Sequence, residues 1–104
     1  MSGRPHYYKL NSWGEPVPCD MLEAAKQLTS LHGRCVACEK LPSGLTVSTA
    51  FLVFDHAPFG QEPVLWNTCV YRPDGSYRVA GKYSTLDEAI AGHREVVALV
   101  RLLN

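Results

Sequence analysis

Leu45-Thr46-Val47-Ser48-Thr49-Ala50-Phe51-Leu52-Val53-Phe54 carries no charge and is rich in β-branched and aromatic residues. Side chains of that kind fit a pleated surface, so the segment reads as a strand. An uncharged run of this length is expected at the centre of a sheet, covered on both faces. Asp55 to Pro63 holds Pro58, Gly60 and Pro63 and reads as a loop. Val64 to Tyr71 is a second uncharged strand. Pro73-Asp74-Gly75-Ser76 is a turn signal, which pairs that strand with Tyr77 to Tyr83 in a hairpin. On the other side, Pro42-Ser43-Gly44 turns the chain back to a short strand over Arg34 to Lys40.

Helices flank these strands. Asp20 is placed to cap a helix and Glu23 follows three residues later. Met21, Ala24, Ala25, Leu28 and Leu31 recur at helical spacing and Gly33 is a natural stop, which predicts a helix over 21–32. Thr85 and Glu88 form a capping-box pattern before a second helix over 86–102. Ahead of the first helix, Tyr7 to Leu10 has strand chemistry, and Gly14, Pro16 and Pro18 allow a hairpin with a short strand near Val17. The order β-α-β-β-β-β-α predicts an α+β fold: a mainly antiparallel sheet of four to five strands with two helices packed on it. Residues 1–104 read as one domain, with 1–6 a loose N-terminal end.

Ten basic and ten acidic residues cancel. A neutral chain has no field to gather nucleic acid non-specifically or to hold an anionic membrane. No segment has the apolar length of a membrane span, and Met1 to His6 lacks the apolar stretch of a signal peptide. The expected location is the cytoplasm, where four cysteines are free thiols rather than disulfides.

The second helix carries Leu86, Ala89, Ile90, His93, Val96, Val97 and Val100 as one apolar stripe, and Val96 to Val100 is apolar nearly all round. Such a helix is buried on more than one side. Two arrangements satisfy it: burial within its own domain, or packing against a second copy to give a homodimer or larger homo-oligomer.

Cys35-Val36-Ala37-Cys38 has the spacing of a metal or redox pair. The metal reading needs two more ligands from Cys19, Cys69, His32 and His56, and residues three apart on a flat strand point to opposite faces. Ordinary half-buried cysteines are the better reading, and no metal or cofactor is expected. Asp55-His56 falls where the central strand ends, a place where a carboxylate can fix an imidazole tautomer. The competing reading is an Asp that holds loop N–H groups beside an exposed His. His93 lies on the inward stripe, as a hydrogen-bonded core residue or as the wall of a pocket, and Gly92 beside it allows close approach. Thr49, Asn67, Thr68 and Tyr83 are polar groups on core-facing strands. They either satisfy one another or present donors to a ligand. Phosphate-binding glycine loops, dinucleotide fingerprints, G-x-S-x-G elbows, HExxH pairs and basic recognition helices are all missing.

Val47-Ser48-Thr49-Ala50-Phe51-Leu52-Val53-Phe54-Asp55-His56, Pro63-Val64-Leu65-Trp66-Asn67-Thr68 and Tyr83-Ser84-Thr85-Leu86-Asp87-Glu88-Ala89-Ile90-Ala91-Gly92-His93 occur in that order. They resemble a family of small uncharacterised proteins of tailed bacteriophages and prophages. Its motifs are VST-x-FL-x-x-DH, P-x-L-x-ET and Y-x-T-x-x-EA-x-x-GH. The chain departs from them at Asn67, where the family has Glu, and at Val53, where Gly is frequent. The resemblance implies a phage accessory protein in the host cytoplasm. Together with the missing catalytic signatures, it suggests a non-enzymatic binder that interferes with host defence. Such a binder would sequester a small nucleotide-like signal or block a host protein. The ligand-binding residues expected are Thr49, Asp55, His56, Thr68, Tyr83 and His93. A structural or regulatory protein without a ligand, and a small hydrolase or transferase using Asp55-His56 with His93, are the alternatives.

Overall fold

The computed structural model describes residues 6–29, 34–55 and 62–102. Residues 1–5, residues 30–33 with the expected Gly33 stop and His32, and His56 lie outside the described residues; the first helix ends at Leu28 with Thr29 as its C-cap, short of the expected 32. The fold is α+β, in the order β-β-α-β-β-β-β-α. Strands β1 (Tyr8–Leu10) and β2 (Pro16–Pro18) form an antiparallel hairpin. Helix α1 (Met21–Leu28) follows, then β3 (Cys35–Lys40), β4 (Thr46–Phe51), β5 (Trp66–Tyr71) and β6 (Tyr77–Tyr83) in an antiparallel meander of that spatial order, and helix α2 (Leu86–Leu102). The short strand near Val17 is thus present, and the strands divide into two sheets rather than one.

Both helix starts form as their side chains dictate. Asp20 Oδ1 accepts from the Glu23 N–H at 2.8 Å. Thr85 Oγ1 accepts from the Glu88 N–H while Glu88 Oε1 accepts from the Thr85 N–H, each at 3.1 Å. The β5–β6 turn closes through Gly75 at φ 90° and Asp74, whose carboxylate accepts from both the N–H and the hydroxyl of Ser76. Those two bonds hold the Asp74 carboxyl below its usual pKa.

Helix α2 covers one face of the four-stranded sheet, with Ala89, His93, Val96, Val97 and Val100 buried. Its stripe is therefore used within its own domain, while Leu99 and Leu102 are exposed. Helix α1 lies mainly against β1, and its Ala24 joins the core cluster that holds Phe51 and Trp66 of the larger sheet. Of its apolar stripe only Ala24 is fully buried; Leu28 is half-buried, and Met21 and Ala25 are exposed.

The central strand differs from its expectation in two ways. Val47, Thr49 and Phe51 are buried, whereas Thr46, Ser48 and Ala50 are only half-buried. The face opposite α2 continues into exposed Tyr71, Tyr77 and Val79, so coverage is one-sided. The uncharged run also breaks before its end. Val53 has φ 71°, a left-handed conformation that a β-branched residue adopts at a cost of roughly 1–2 kcal/mol. There the chain leaves the large sheet and joins the small one. Tyr8 donates its N–H to Val53 O at 2.7 Å, Phe54 bridges Tyr7, and Asp55 donates its N–H to His6 O at 3.0 Å. Those bonds and complete burial of the Val53 side chain offset the strain.

Each outer strand of the large sheet carries a bulge. The register slips between Cys35 and Ala37, leaving Val36 extra, and again opposite Thr68 and Cys69, leaving Ala80 extra. The first bulge corrects the reading of the cysteines. Cys35 is opposite Ala50 and Cys38 opposite Ser48, two positions on the same face.

Burial separates the thiols. Cys35 and Cys38 are exposed, Cys19 is half-buried and Cys69 is buried. Burial raises the Cys69 pKa, so less thiolate is present at neutral pH. Limited iodoacetamide treatment followed by peptide mass spectrometry should therefore show Cys35 and Cys38 modified first and Cys69 last. Early loss of the Cys69 thiol would contradict the packing of β5.

Candidate functional site

Thr49 on β4 and Thr68 on β5 are direct register partners beneath α2. Their hydroxyls lie 2.5 Å apart. His93 descends from the helix and places Nδ1 2.8 Å from Thr49 Oγ1. Tyr83, at the end of β6, donates its hydroxyl to Thr68 Oγ1 at 3.1 Å. Glycine makes that approach possible. A Cβ at Gly92 on the helix, or at Gly81 on the strand, would overlap the Tyr83 ring and hydroxyl. Four of the six residues expected at a site are thus brought together: Thr49, Thr68, Tyr83 and His93.

Each hydroxyl has one proton to give, and counting them sets the direction of the chain. Tyr83 donates to Thr68, Thr68 to Thr49, and Thr49 to His93 Nδ1. The imidazole proton is then on Nε2, an assignment from hydrogen-bond accounting. Nε2 faces Glu39 Oε1 at 3.4 Å. That is an ion-pair distance without hydrogen-bond alignment, and Nε2 is otherwise buried without a partner among the described residues. Glu39 Oε2 continues to Arg101 Nη2 at 3.7 Å, at the half-exposed rim. A charged His93 would give its Nδ1 proton to Thr49. Thr68 would then accept twice and keep a hydroxyl proton with no acceptor in the layer. Neutral imidazole satisfies more of the buried groups.

The layer lies between two apolar clusters. On one side are Phe51, Trp66, Ala89, Val53, Leu65, Tyr8 and Ala24. On the other are Leu41, Val47, Val96, Val97 and Val100. A polar layer across an apolar interface admits one alignment of helix on sheet, because sliding the helix would bury its donors and acceptors unpaired. Thr49, Thr68 and His93 are each no more than 3% exposed. Four surface grooves of the described residues are lined by other side chains.

Asp55 does other work. Its Oδ1 accepts from the Val64 N–H at 3.0 Å and ties the two ends of the intervening loop. Asn67, expected to face the core, pairs with Ala50 and Lys82 on the opposite face. Glu39 and Arg101 were not singled out by the sequence. The signal for Glu39 is its place two residues beyond Ala37, opposite inward-facing Val47. Among the described residues no group of three His, Cys, Asp or Glu side chains could hold a metal ion, and no helix is long and apolar enough to cross a membrane.

The fold and the buried layer together define a small α+β domain with a polar lock between helix and sheet. Comparison with family models, curated proteins and solved structures finds no match to the chain.

Proposed function

We propose that this chain is a non-catalytic binding protein that serves a tailed phage as an accessory factor against host defence. It would do so by taking up a small nucleotide-like host molecule or by covering a host protein. The phage role rests on the three ordered motifs around Thr49, Thr68 and His93. One observation supports binding over catalysis: the hydroxyls of Thr49, Thr68 and Tyr83 and the Nδ1 lone pair of His93 are spent on one another. A general base needs its lone pair within reach of a substrate proton. On this reading the motif residues hold the fold, and binding falls to the surface around it. Exposed Leu99 and Leu102 are where a second copy would pack.

Thermal-shift screening against nucleotides and cyclic nucleotides, run beside a pull-down from host lysate, tests the reading. A stabilising ligand or a specific host protein is expected. Neither, in a folded preparation, would overturn it. Light scattering checks the dimer, which a monomeric mass would eliminate.

A further inference from the structure

We infer a small-molecule site, separate from the motif layer, in the groove where the β1–β2 turn faces the start of β3 and the first turns of α2. Its ligand is a flat apolar molecule carrying a single carboxylate.

Leu10, Val36, Trp66, Leu86 and Ile90 wall a groove of about 310 Å³ that also reaches Arg34. A second groove of about 240 Å³, bordered by Trp13 and Pro16, adjoins it and shares Gly14, Trp66 and Leu86. Small-ligand sites are mostly apolar hollows of roughly 300–1,000 Å³ with few polar groups. Two polar groups here lack the partners expected of them. Trp66 is 1% exposed, and its Nε1–H is buried with no acceptor among the described residues. A buried donor in that state is costly, and an acceptor on a ligand relieves it. Arg34 is half-buried. Its Nε donates to Phe51 O at 3.1 Å and its Nη1 to Leu28 O at 3.4 Å. Among the described residues, no carboxylate lies within ion-pair range of it. Carbonyls fix this guanidinium in place and leave N–H groups over, and a carboxylate is the planar acceptor that matches them.

Charge limits the ligand to one negative group. Arg34 is the cation lining the first groove, and Glu15 and Asp87 line the second. A polyphosphate would meet those carboxylates. Trp13, 85% exposed at the rim, offers a face for a flat ring. Trp66 lines both grooves and its indole N–H is buried, so reaching it requires the turn at Gly14 to shift outward as the ligand seats. A Cβ built on Gly14 would meet nothing, so the turn has open space beside it.

The probe is naphthoate, with naphthamide as its uncharged counterpart and adenosine monophosphate as a multiply charged comparison. The Trp13→Phe protein retains one indole, Trp66, whose N–H resonance is followed by NMR. Naphthoate should move that resonance and slow alkylation of Cys35, which lines the groove, relative to Cys38. Naphthamide should bind at least about tenfold more weakly, the loss expected when a charge-assisted bond is removed. Arg34→Gln should reproduce that loss. Because this variant also gives up two carbonyl contacts, the acid-against-amide comparison in the Trp13→Phe protein decides if it fails to fold. An unmoved Trp66 resonance would overturn the site. Equal binding of acid and amide, or tighter binding of the nucleotide, would overturn its preference for one negative charge.

Discussion

Replacing Thr49 by Val should destabilise the domain by about 2–4 kcal/mol and lower the melting midpoint by more than about 10 °C. The substitution nearly preserves shape, so a cavity is not the cause. It removes the hydroxyl that links His93 Nδ1 at 2.8 Å to Thr68 Oγ1 at 2.5 Å, and strands a buried acceptor and a buried donor at once. Each unmet group costs about 1–3 kcal/mol. A second variant separates this cause from packing. Thr49→Val, Thr68→Val, Tyr83→Phe and His93→Leu combined remove every partner in the layer, and apolar replacement of whole buried networks is often close to neutral. The quadruple variant should therefore recover most of what the single one loses. Thermal and urea unfolding measure both. A cost for Thr49→Val below about 0.5 kcal/mol, the level of an ordinary surface change, would mean that the chain of hydrogen bonds does not form.

Gly92→Ala should also be strongly unfavourable, against the ordinary rule. In a helix interior Ala is more favourable than Gly by about 1 kcal/mol. Here the new methyl would occupy the space of the Tyr83 ring and hydroxyl. Displacing the ring breaks its bond to Thr68 and overpacks the helix–sheet interface, at a cost of about 2–3 kcal/mol net of the propensity gain. Tyr83→Ala opens the space, so Gly92→Ala in that background should become neutral or stabilising. The double-mutant cycle reads this coupling directly, and additive effects would refute the contact.

How much of this was legible in the sequence depends on the range of the force involved. Caps and turns are local, and Asp20, Thr85 with Glu88, and Pro73-Asp74-Gly75-Ser76 could be read from spacing alone. The meeting of Thr49, Thr68 and Tyr83 was legible only as a possibility, since strand alternation marks a face but not a register. His93 joined them because helical spacing set it inward. Gly92 signalled close approach, though not that the approaching group is Tyr83. Val53 was not legible as a break, because its side chain argues for a strand while tertiary bonds to Tyr8 and burial impose φ 71°. The slip at Val36 was equally hidden: nothing in Cys35-Val36-Ala37-Cys38 marks a bulge, and only pairing with β4 reveals it. That the Trp66 N–H finds no acceptor among the described residues is a property of its surroundings, which composition does not encode.

The two bulges have a consequence for how the molecule behaves in a crowd. Strands β3 and β6 form the margins of the large sheet, and a bare margin is a template onto which a neighbouring chain can hydrogen-bond. β3 is kinked near its start, at Val36, and β6 at its middle, at Ala80, so an incoming strand would find only short regular stretches to pair with. The kinks thus work against edge-to-edge stacking in a domain whose sheet leaves Tyr71 and Tyr77 uncovered.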